Sequence, residues 1–478
     1  MTDPRGFLEI QRRLGPYRPV DERVRDYGEQ HLHAPEGLVR EQAQRCMDCG
    51  VPFCHNGCPL SNLIPEWNDL VHRGDWQNAS RRLHATNNFP EFTGKLCPAP
   101  CEEACVLTIN DDAVAIKEIE LAIAERALEE GWVEPQPATS SSGRSIGIVG
   151  SGPAGLACAQ QLARAGHAVT VYERDDRPGG LLRFGIPDFK LDKASVDLRI
   201  AQLEAEGVVF ECGVECGVDL DSAELRARHD AIVIATGAQR QRDLSLPGRE
   251  LAGIHLAMPY LIAQNRRVAG LAADPAAPSA AGKRVAILGG GDTSADCLGN
   301  VLREGATSVI EIAHGPTPPR QREPQKSWPE WPALLRSYPV HDEGGEREWQ
   351  IETVGFEGRD GRIDHLRARR LEYPEHAATG SRRSVPVEDL LLEIDLVLLA
   401  IGFVGIEPQD GLSESLGLGV SPRGTIETGP DLATGVDNVF ACGDCVRGAD
   451  LIVTAIADGR RAAASVERAL ARAAAPAA

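Results

Sequence analysis

RSIGIVGSGPAGLACAQQLARAGHAVTVYER, residues 144–174, decides the fold. An apolar run ends in a glycine turn, an alanine-rich helical stretch follows, and a second apolar run closes at Glu173. This is one βαβ unit. Gly150, Gly152 and Gly155 fit G-x-G-x-x-G, with Ser151, Pro153 and Ala154 between them. The first glycine permits the tight turn, the second lets the backbone approach a pyrophosphate, and the third lets helix and strand pack closely. The phosphates then meet the free N–H groups of a helix N-terminus. Glu173 stands about twenty residues on, where an acid binds a ribose hydroxyl, and Arg174 follows it. The glycine motif alone is weak evidence; inside a complete βαβ unit with the acid in place it is strong.

A related unit returns at 283–312, KRVAILGGGDTSADCLGNVLREGATSVIEI. Its turn, Gly289, Gly290, Gly291, Asp292, Thr293 and Ser294, has serine at the third glycine position. Each unit is followed by a hydrophobic strand and a similar turn: DAIVIATGA at 230–238, with Gly237, and DLVLLAIGF at 395–403. The pattern reads as an internal duplication of a dinucleotide-binding fold. In the second unit the counterpart of Glu173 falls near Ile312. The missing acid favours NADPH over NADH, because an acid there would repel a 2′-phosphate. Glu311, one residue away, would point to the opposite face of the strand. His314, Arg320 and Arg322 lie nearby, either as phosphate partners or as solvated loop residues.

Two such sites on one chain indicate a flavin and a nicotinamide cofactor. The segment VFACGDCVRGADLIVTAIADGRRAAASVERAL, 439–470, agrees: a strand ends at Gly443-Asp444 and a helix carrying Thr454 follows. Asp444 can bind flavin hydroxyls or cap the helix, and both roles are compatible.

Seven of the 13 cysteines crowd the first quarter of the chain, in CMDCGVPFCHNGCPL (46–60) and CPAPCEEAC (97–105). Cys46, Cys49, Cys54 and Cys58 have the spacing C-x2-C-x4-C-x3-C, followed by Pro59; Cys97, Cys101 and Cys105 complete the set. Zinc is the alternative, but four-cysteine zinc sites use two well-separated C-x2-C pairs. Tight spacing with a terminal Cys-Pro resembles iron–sulfur runs, in which the last cysteine ligates the other cluster. Two cubane clusters need eight ligands, so an eighth must be a different residue type or one cluster is incomplete. Cys158 and Cys297, on the glycine-turn helices, read as packing residues.

Bulk properties narrow the function. The 478 residues suffice for two or three domains, and the net charge of -20 with no basic block argues against nucleic acid. The start, MTDPRGFLEIQRR, has no apolar signal core, and LLLEIDLVLLAIGF is broken by Glu393 and Asp395, so no membrane span and a cytoplasmic location are expected. Clustered thiols there bind metal more often than they form disulfides.

The sequence resembles the small (beta) subunits of bacterial NADPH-dependent glutamate synthases, over nearly its whole length. The resemblance rests on DPRGFLEI, CMDCGVPFCHNGCPLSNLIPEWNDLV, NNFPEFTGKLCPAPCEEACV, PGGLLRFGIPDFKLDK, GGGDTSADC, HDEGGERE and VFACGDC. It implies an α/β chain of two Rossmann-like domains preceded by an α-helical iron–sulfur domain. The expected divisions are 1–140 with two 4Fe-4S clusters, 145–275 and 396–478 for FAD, and 280–395 for NAD(P)H. It implies Cys46, Cys49, Cys54 and Cys105 on one cluster and Cys58, Cys97 and Cys101 on the other. In the related dihydropyrimidine dehydrogenase a glutamine completes the second cluster, and alignment of IKEIE puts Glu120 at that position. Gly180 and Leu181 fall near the flavin. Relatives carry an arginine where AHGPTPPR has Thr317, a departure that bears on NADPH preference.

The implied partner is the large (alpha) subunit, which makes L-glutamate from L-glutamine and 2-oxoglutarate, in a hetero-oligomer. Hydride and electron transfer need no side-chain acid, base or nucleophile, so no catalytic residue is named. A reductase of the same parts serving ferredoxin would differ only in its partner; HDEGGERE and WPEWPALLRSYP favour the glutamate synthase reading.

Overall fold

The computed structural model describes residues 5–272, 274–322, 328–373, 384–407 and 411–474; Asp3 and Pro4 of the DPRGFLEI stretch lie outside them. The cysteine-rich region is helical. Its main helices are α1 (Glu36–Ala43), α2 (Ile64–His72), α3 (Trp76–Thr86), α4 (Pro90–Leu96) and α5 (Ile116–Glu129). Helix α5 is shorter than the apolar pattern at 113–132 suggests. Ile116, Ile119, Glu120, Ile123, Ala124 and Ala127 are buried at the i, i+3, i+4 rhythm of a core-facing helix, and Leu121 widens that face. One apolar core runs from this region into the first nucleotide unit. Residues 133–144, covering the expected linker, carry no regular structure and are mostly exposed.

The first unit contains β1 (Ser145–Val149), α6 (Pro153–Arg164), β2 (Ala168–Glu173), α7 (Lys193–Ala205), β3 (Val208–Cys212) and β4 (Ala231–Ile234). The second contains β5 (Ile254–Leu256), β6 (Arg284–Leu288), α8 (Asp292–Arg303), β7 (Ser308–Ala313) and β8 (Glu346–Trp349). It continues through the antiparallel strands β9 (Ile351–Arg359), β10 (Arg362–Glu372) and β11 (Val385–Glu393) to β12 (Leu396–Leu399). The chain then returns to the first unit with β13 (Val439–Ala441) and α9 (Ile452–Ala474).

Both five-stranded sheets are parallel and share one plan. In the first the order is β13-β4-β1-β2-β3; in the second it is β5-β12-β6-β7-β8. The segments 230–238 and 395–403 are therefore equivalent, each pairing with the strand that precedes its own unit's glycine turn.

That pairing moves two expected boundaries. Leu396–Leu399 is buried throughout and lies inside the second sheet, not in the returning part of the first unit. Ile254–Leu256, placed before the break at 275, fills that sheet's edge beside it. A buried strand needs hydrogen-bonding neighbours along both edges, and Leu396–Leu399 finds them in β5 and β6. The antiparallel layer β9–β11 has no counterpart in the sequence reading. It buries Phe356, Ile363, Leu366 and Ala368 against the second sheet.

Buried ion pairs lock the three parts together. Arg199 of α7 makes a two-pronged contact with Glu91 of α4, at 2.8 and 2.6 Å, with both side chains about 1% exposed. Glu343 accepts from Arg23 of the N-terminal region and from Arg303 of α8. Removing one member of such a pair strands a buried charge, whereas removing both does not. Glu91→Leu should therefore cost about 3–5 kcal/mol, and Glu91→Leu with Arg199→Leu clearly less, compared by urea midpoints. A double variant as unstable as the single one would contradict this view of the interface.

Candidate functional site

The cysteines divide between two cavities. One is lined by Cys58, Cys97, Cys101 and Glu120; the other by Cys46, Cys49, Cys54 and Cys105. The grouping is that implied by the resemblance, with Glu120 among the second set of cysteines. Helix α2 forms the partition: Ile64, together with Ile116 of α5, lines both cavities. The first cavity is the inner one, because Val453 of α9 also lines it and its three cysteines are buried. The second is the outer one, where Cys46, Cys49 and Cys54 are only partly buried.

Local backbone aims the donors. Asp48 and Ala99 adopt positive φ in the two cysteine loops, an uncommon conformation for residues with a side chain. The Ala99 N–H donates to Cys97 Sγ at 3.4 Å. Backbone N–H groups also face Cys58 and Cys105, but burial dominates at every thiol. Burial pushes Cys46 and Cys58 up to about 11 and Cys97 up to about 12, and raises Cys54, Cys101 and Cys105. Glu120 is pushed up to about 7 by burial, against the pull of hydrogen bonds from Thr93 and Asn87. Both reach its Oε1, at 2.8 and 2.9 Å. Beside a cation such thiols and carboxyls ionise and become good anionic ligands.

The donor set, thiols with one carboxyl, is of the type that iron–sulfur clusters take. Among the described residues no group of three or more His, Cys, Asp or Glu side chains is placed to hold a single metal ion. In the cavity walls, two buried polar side chains lack hydrogen-bond partners among the described residues: Trp67 Nε1 in the inner and the Asn68 amide in the outer.

The first glycine turn has the form a pyrophosphate needs. Gly150 sits at φ +104°, and a Cβ on Gly155 would come 2.0 Å from the Gly150 carbonyl oxygen, while a Cβ on Gly152 would meet nothing. Open space at the second position and tight packing at the third are the roles read from the sequence. Ser151 is buried, and Glu173 accepts from both its N–H and its hydroxyl. Gly180 packs so closely on the turn that a Cβ there would come 2.9 Å from the Gly152 Cα, and Leu181 beside it is half exposed. Pro153 and Ala154 begin α6, and Arg174 donates to Gln239, two residues beyond Gly237. Gly443 lies against Ala154, so the returning chain brings Asp444 to the same turn; Thr454 is buried on α9. Burial pushes Asp444 up to about 7.

In the second turn Gly289 and Gly291 repeat this arrangement, with open space at Gly291. Ser294 is buried and donates back to the Gly291 carbonyl at 3.1 Å, so serine packs where glycine was expected. Asp292 and Thr293 begin α8. The strand register corrects one position. Gly150 N–H bonds Tyr172 O and Gly289 N–H bonds Ile312 O, so the counterpart of Glu173 is Ala313, one residue beyond Ile312. Glu311 is buried, 3.0 Å from Arg347 Nε and 3.3 Å from His341 Nε2. His314 is exposed beside Tyr373 and Arg320 is exposed, whereas Arg322 donates to the Glu103 carbonyl of the cysteine region at 3.0 Å. Arg322 is thus tied to the first region and not turned toward the nucleotide turn.

Sequence reasoning did not single out Asn87 and Thr93, which hold Glu120, or Trp67 and Asn68. The only signal was polar residues interrupting apolar helical patterns in NNFPEFTG and IPEWNDLV. Cys158 and Cys297 are fully buried on α6 and α8.

Residues 23–132 match the dihydropyrimidine dehydrogenase domain II, 4Fe-4S cluster family. Residues 144–325 and 366–459 match the pyridine nucleotide-disulphide oxidoreductase family. The glutamate synthase [NADPH] small chain of Mycobacterium tuberculosis H37Rv is 53% identical over 473 residues, 98% of this chain and 96% of that one. The Bacillus subtilis small chain is 42% identical, covering 98% of both. The glutamate synthase [NADH] of Saccharomyces cerevisiae is 43% identical over 97% of this chain but only 22% of its own length. Among solved structures, FprA of M. tuberculosis in complex with NADPH has a TM-score of 0.54 at 21% identity, covering 69% of this chain and 85% of that one, a likeness of fold. With two cysteine-lined cavities beside two dinucleotide folds, and relatives this similar along its whole length, the chain belongs to the glutamate synthase small-chain family.

Proposed function

We propose that this chain is the electron-input component of a glutamate synthase, passing reducing equivalents from NADPH to a large chain that forms L-glutamate. The observation that carries this reading is the division of eight donors into two four-donor cavities, the inner one against α9 of the flavin unit and the outer one toward the surface. When bound, FAD accepts two electrons as a hydride from NADPH and releases them singly, and 4Fe-4S clusters carry one electron at a time.

The residues of the chain bind, orient and exclude water. The turn at Gly150–Gly155, with Glu173, Gly180 and Asp444, would hold FAD. The turn at Gly289–Ser294 would hold NADPH, with exposed His314 and Arg320 near the end of β7. Cys46, Cys49, Cys54 and Cys105 would hold the outer cluster, and Cys58, Cys97, Cys101 and Glu120 the inner one. Thr93 and Asn87 both donate to Oε1 of Glu120, fixing the carboxylate's orientation toward the cavity it lines. Ile64 and Ile116 keep the space between the cavities apolar and dry. The large chain would dock where the outer cavity approaches the surface.

Three outcomes test this. Supplied with NADPH, L-glutamine and 2-oxoglutarate, the chain alone should oxidise NADPH with an artificial acceptor but form no glutamate, and addition of a large chain should restore glutamate formation. Glutamate made by the chain alone, or no NADPH oxidation with full flavin, would refute the assignment. Glu120→Ala should perturb the electron paramagnetic resonance signal of one cluster and Cys46→Ser that of the other; both variants altering the same signal would break the ligand assignment. Ala313→Asp should lower kcat/KM for NADPH by at least about tenfold, with a smaller effect on NADH, since only NADPH brings a 2′-phosphate to the added carboxylate. Equal losses would place the phosphate elsewhere.

A further inference from the structure

We infer that Trp67 and Asn68, consecutive residues of α2, are hydrogen-bond donors to two different clusters, Trp67 Nε1–H toward the inner and Asn68 Nδ2–H toward the outer, and that each helps set the potential of its own cluster. The inference rests on reading the two cavities as cluster sites and adds residues that are not ligands.

Both side chains are 0% exposed. Trp67 Nε1 and both polar atoms of the Asn68 amide are buried with no hydrogen-bond partner. Buried polar groups nearly always have one, and leaving one unmade costs about 1–3 kcal/mol. Packing alone would be met by phenylalanine or leucine, with no such cost. Buried side-chain atoms without a partner occur elsewhere too, Asn300 of α8 among them, but of these residues Trp67 and Asn68 are the two that line the cavities. Trp67 lines the cavity of Cys58, Cys97, Cys101 and Glu120, and Asn68 lines that of Cys46, Cys49, Cys54 and Cys105.

Helix geometry explains the division. Successive residues project about 100° apart around an α-helix, so a helix lying between two cavities can present one residue to each. Helix α2 does lie between them, since its first residue, Ile64, lines both.

Thiolate and sulfide sulfurs are acceptors without protons of their own, and hydrogen bonds to them are one of the levers on cluster potential. The reduced cluster carries one more negative charge than the oxidised one. A fixed N–H dipole therefore favours reduction, and its removal lowers the potential. One donor on each side lets the two potentials be set independently from a single rigid helix.

The test uses the full chain, purified anaerobically, with iron counted and both clusters titrated by electron paramagnetic resonance. Signals are assigned first with the Cys46→Ser and Glu120→Ala variants. In Trp67→Phe the inner cluster's ratio of reduced to oxidised form at a fixed potential should fall about tenfold, a shift of ~59 mV for one electron, with the outer cluster unmoved. Asn68→Leu should do the reverse. Rigid loss of packing would move both clusters or neither, and either result in variants that keep their iron overturns the inference. Should a variant lose its own cluster, the wild-type chain decides. Tryptophan labelled with nitrogen-15 in the indole should couple to the inner cluster's signal, and amide-labelled asparagine to the outer one's; absent couplings overturn the inference. A wild-type chain lacking one cluster by iron count would instead fail the underlying reading, and the inference with it.

Discussion

Desolvation of acidic ligands is the constraint on which this structure depends. Seven thiols and the Glu120 carboxyl line two largely apolar cavities, and burial raises the pKa of every one of these groups. Beside a cation such groups ionise and become good ligands. Cluster binding would then contribute to the stability of the helical region. The unmade hydrogen bonds of Trp67 and Asn68 belong to the same constraint, as donors with no acceptor until the cavities are filled.

The rest of the molecule holds these cavities in place. The inner one touches α9, the helix that follows the Gly443-Asp444 turn, and the outer one opens toward the surface at Cys49. Single electrons move only between centres held at fixed, short separations, so the joints between domains matter as much as the sites. Those joints are buried ion pairs, Glu91 with Arg199 and Glu343 with Arg23 and Arg303. Aromatic contact adds to them: Phe189 of the first unit packs on α8, with the Arg303 guanidinium 4.1 Å from its ring centre. Trp328, from the loop after β7, donates to the Cys105 carbonyl at 3.2 Å and packs on Phe53 in the outer cavity's wall. Each nucleotide unit therefore contributes to the cysteine region's surroundings.

Much of this was legible in the sequence because the relevant physics is local. Gly150 and Gly155 announce a turn whose geometry calls for glycine, Gly152 keeps its face open, and the turn predicts the strand before it and the helix after it. The cysteine spacing likewise carries its chemistry. Glu120 was reachable only through resemblance, since a glutamate in a helix looks like any exposed one until the fold buries it. Where pairing is non-local the reading slipped. Nothing near Ile254–Leu256 indicates that it completes a sheet whose other strands lie far along the chain, and the counterpart of Glu173 was displaced by one residue because strand register is set by hydrogen bonds between strands. Trp67 and Asn68 were invisible for a further reason: whether a polar group is satisfied depends on neighbours that no spacing reveals.

Everything proposed for electron flow requires that the two cavities hold two 4Fe-4S clusters on this division of ligands. The decisive quantity is the content of iron, acid-labile sulfide, zinc and flavin per chain in anaerobically purified protein. Two cubanes require about eight irons and as many sulfides, with one FAD, and that is the expected result. Zinc in place of iron would contradict it and leave the cysteine region a structural metal domain beside a flavoprotein.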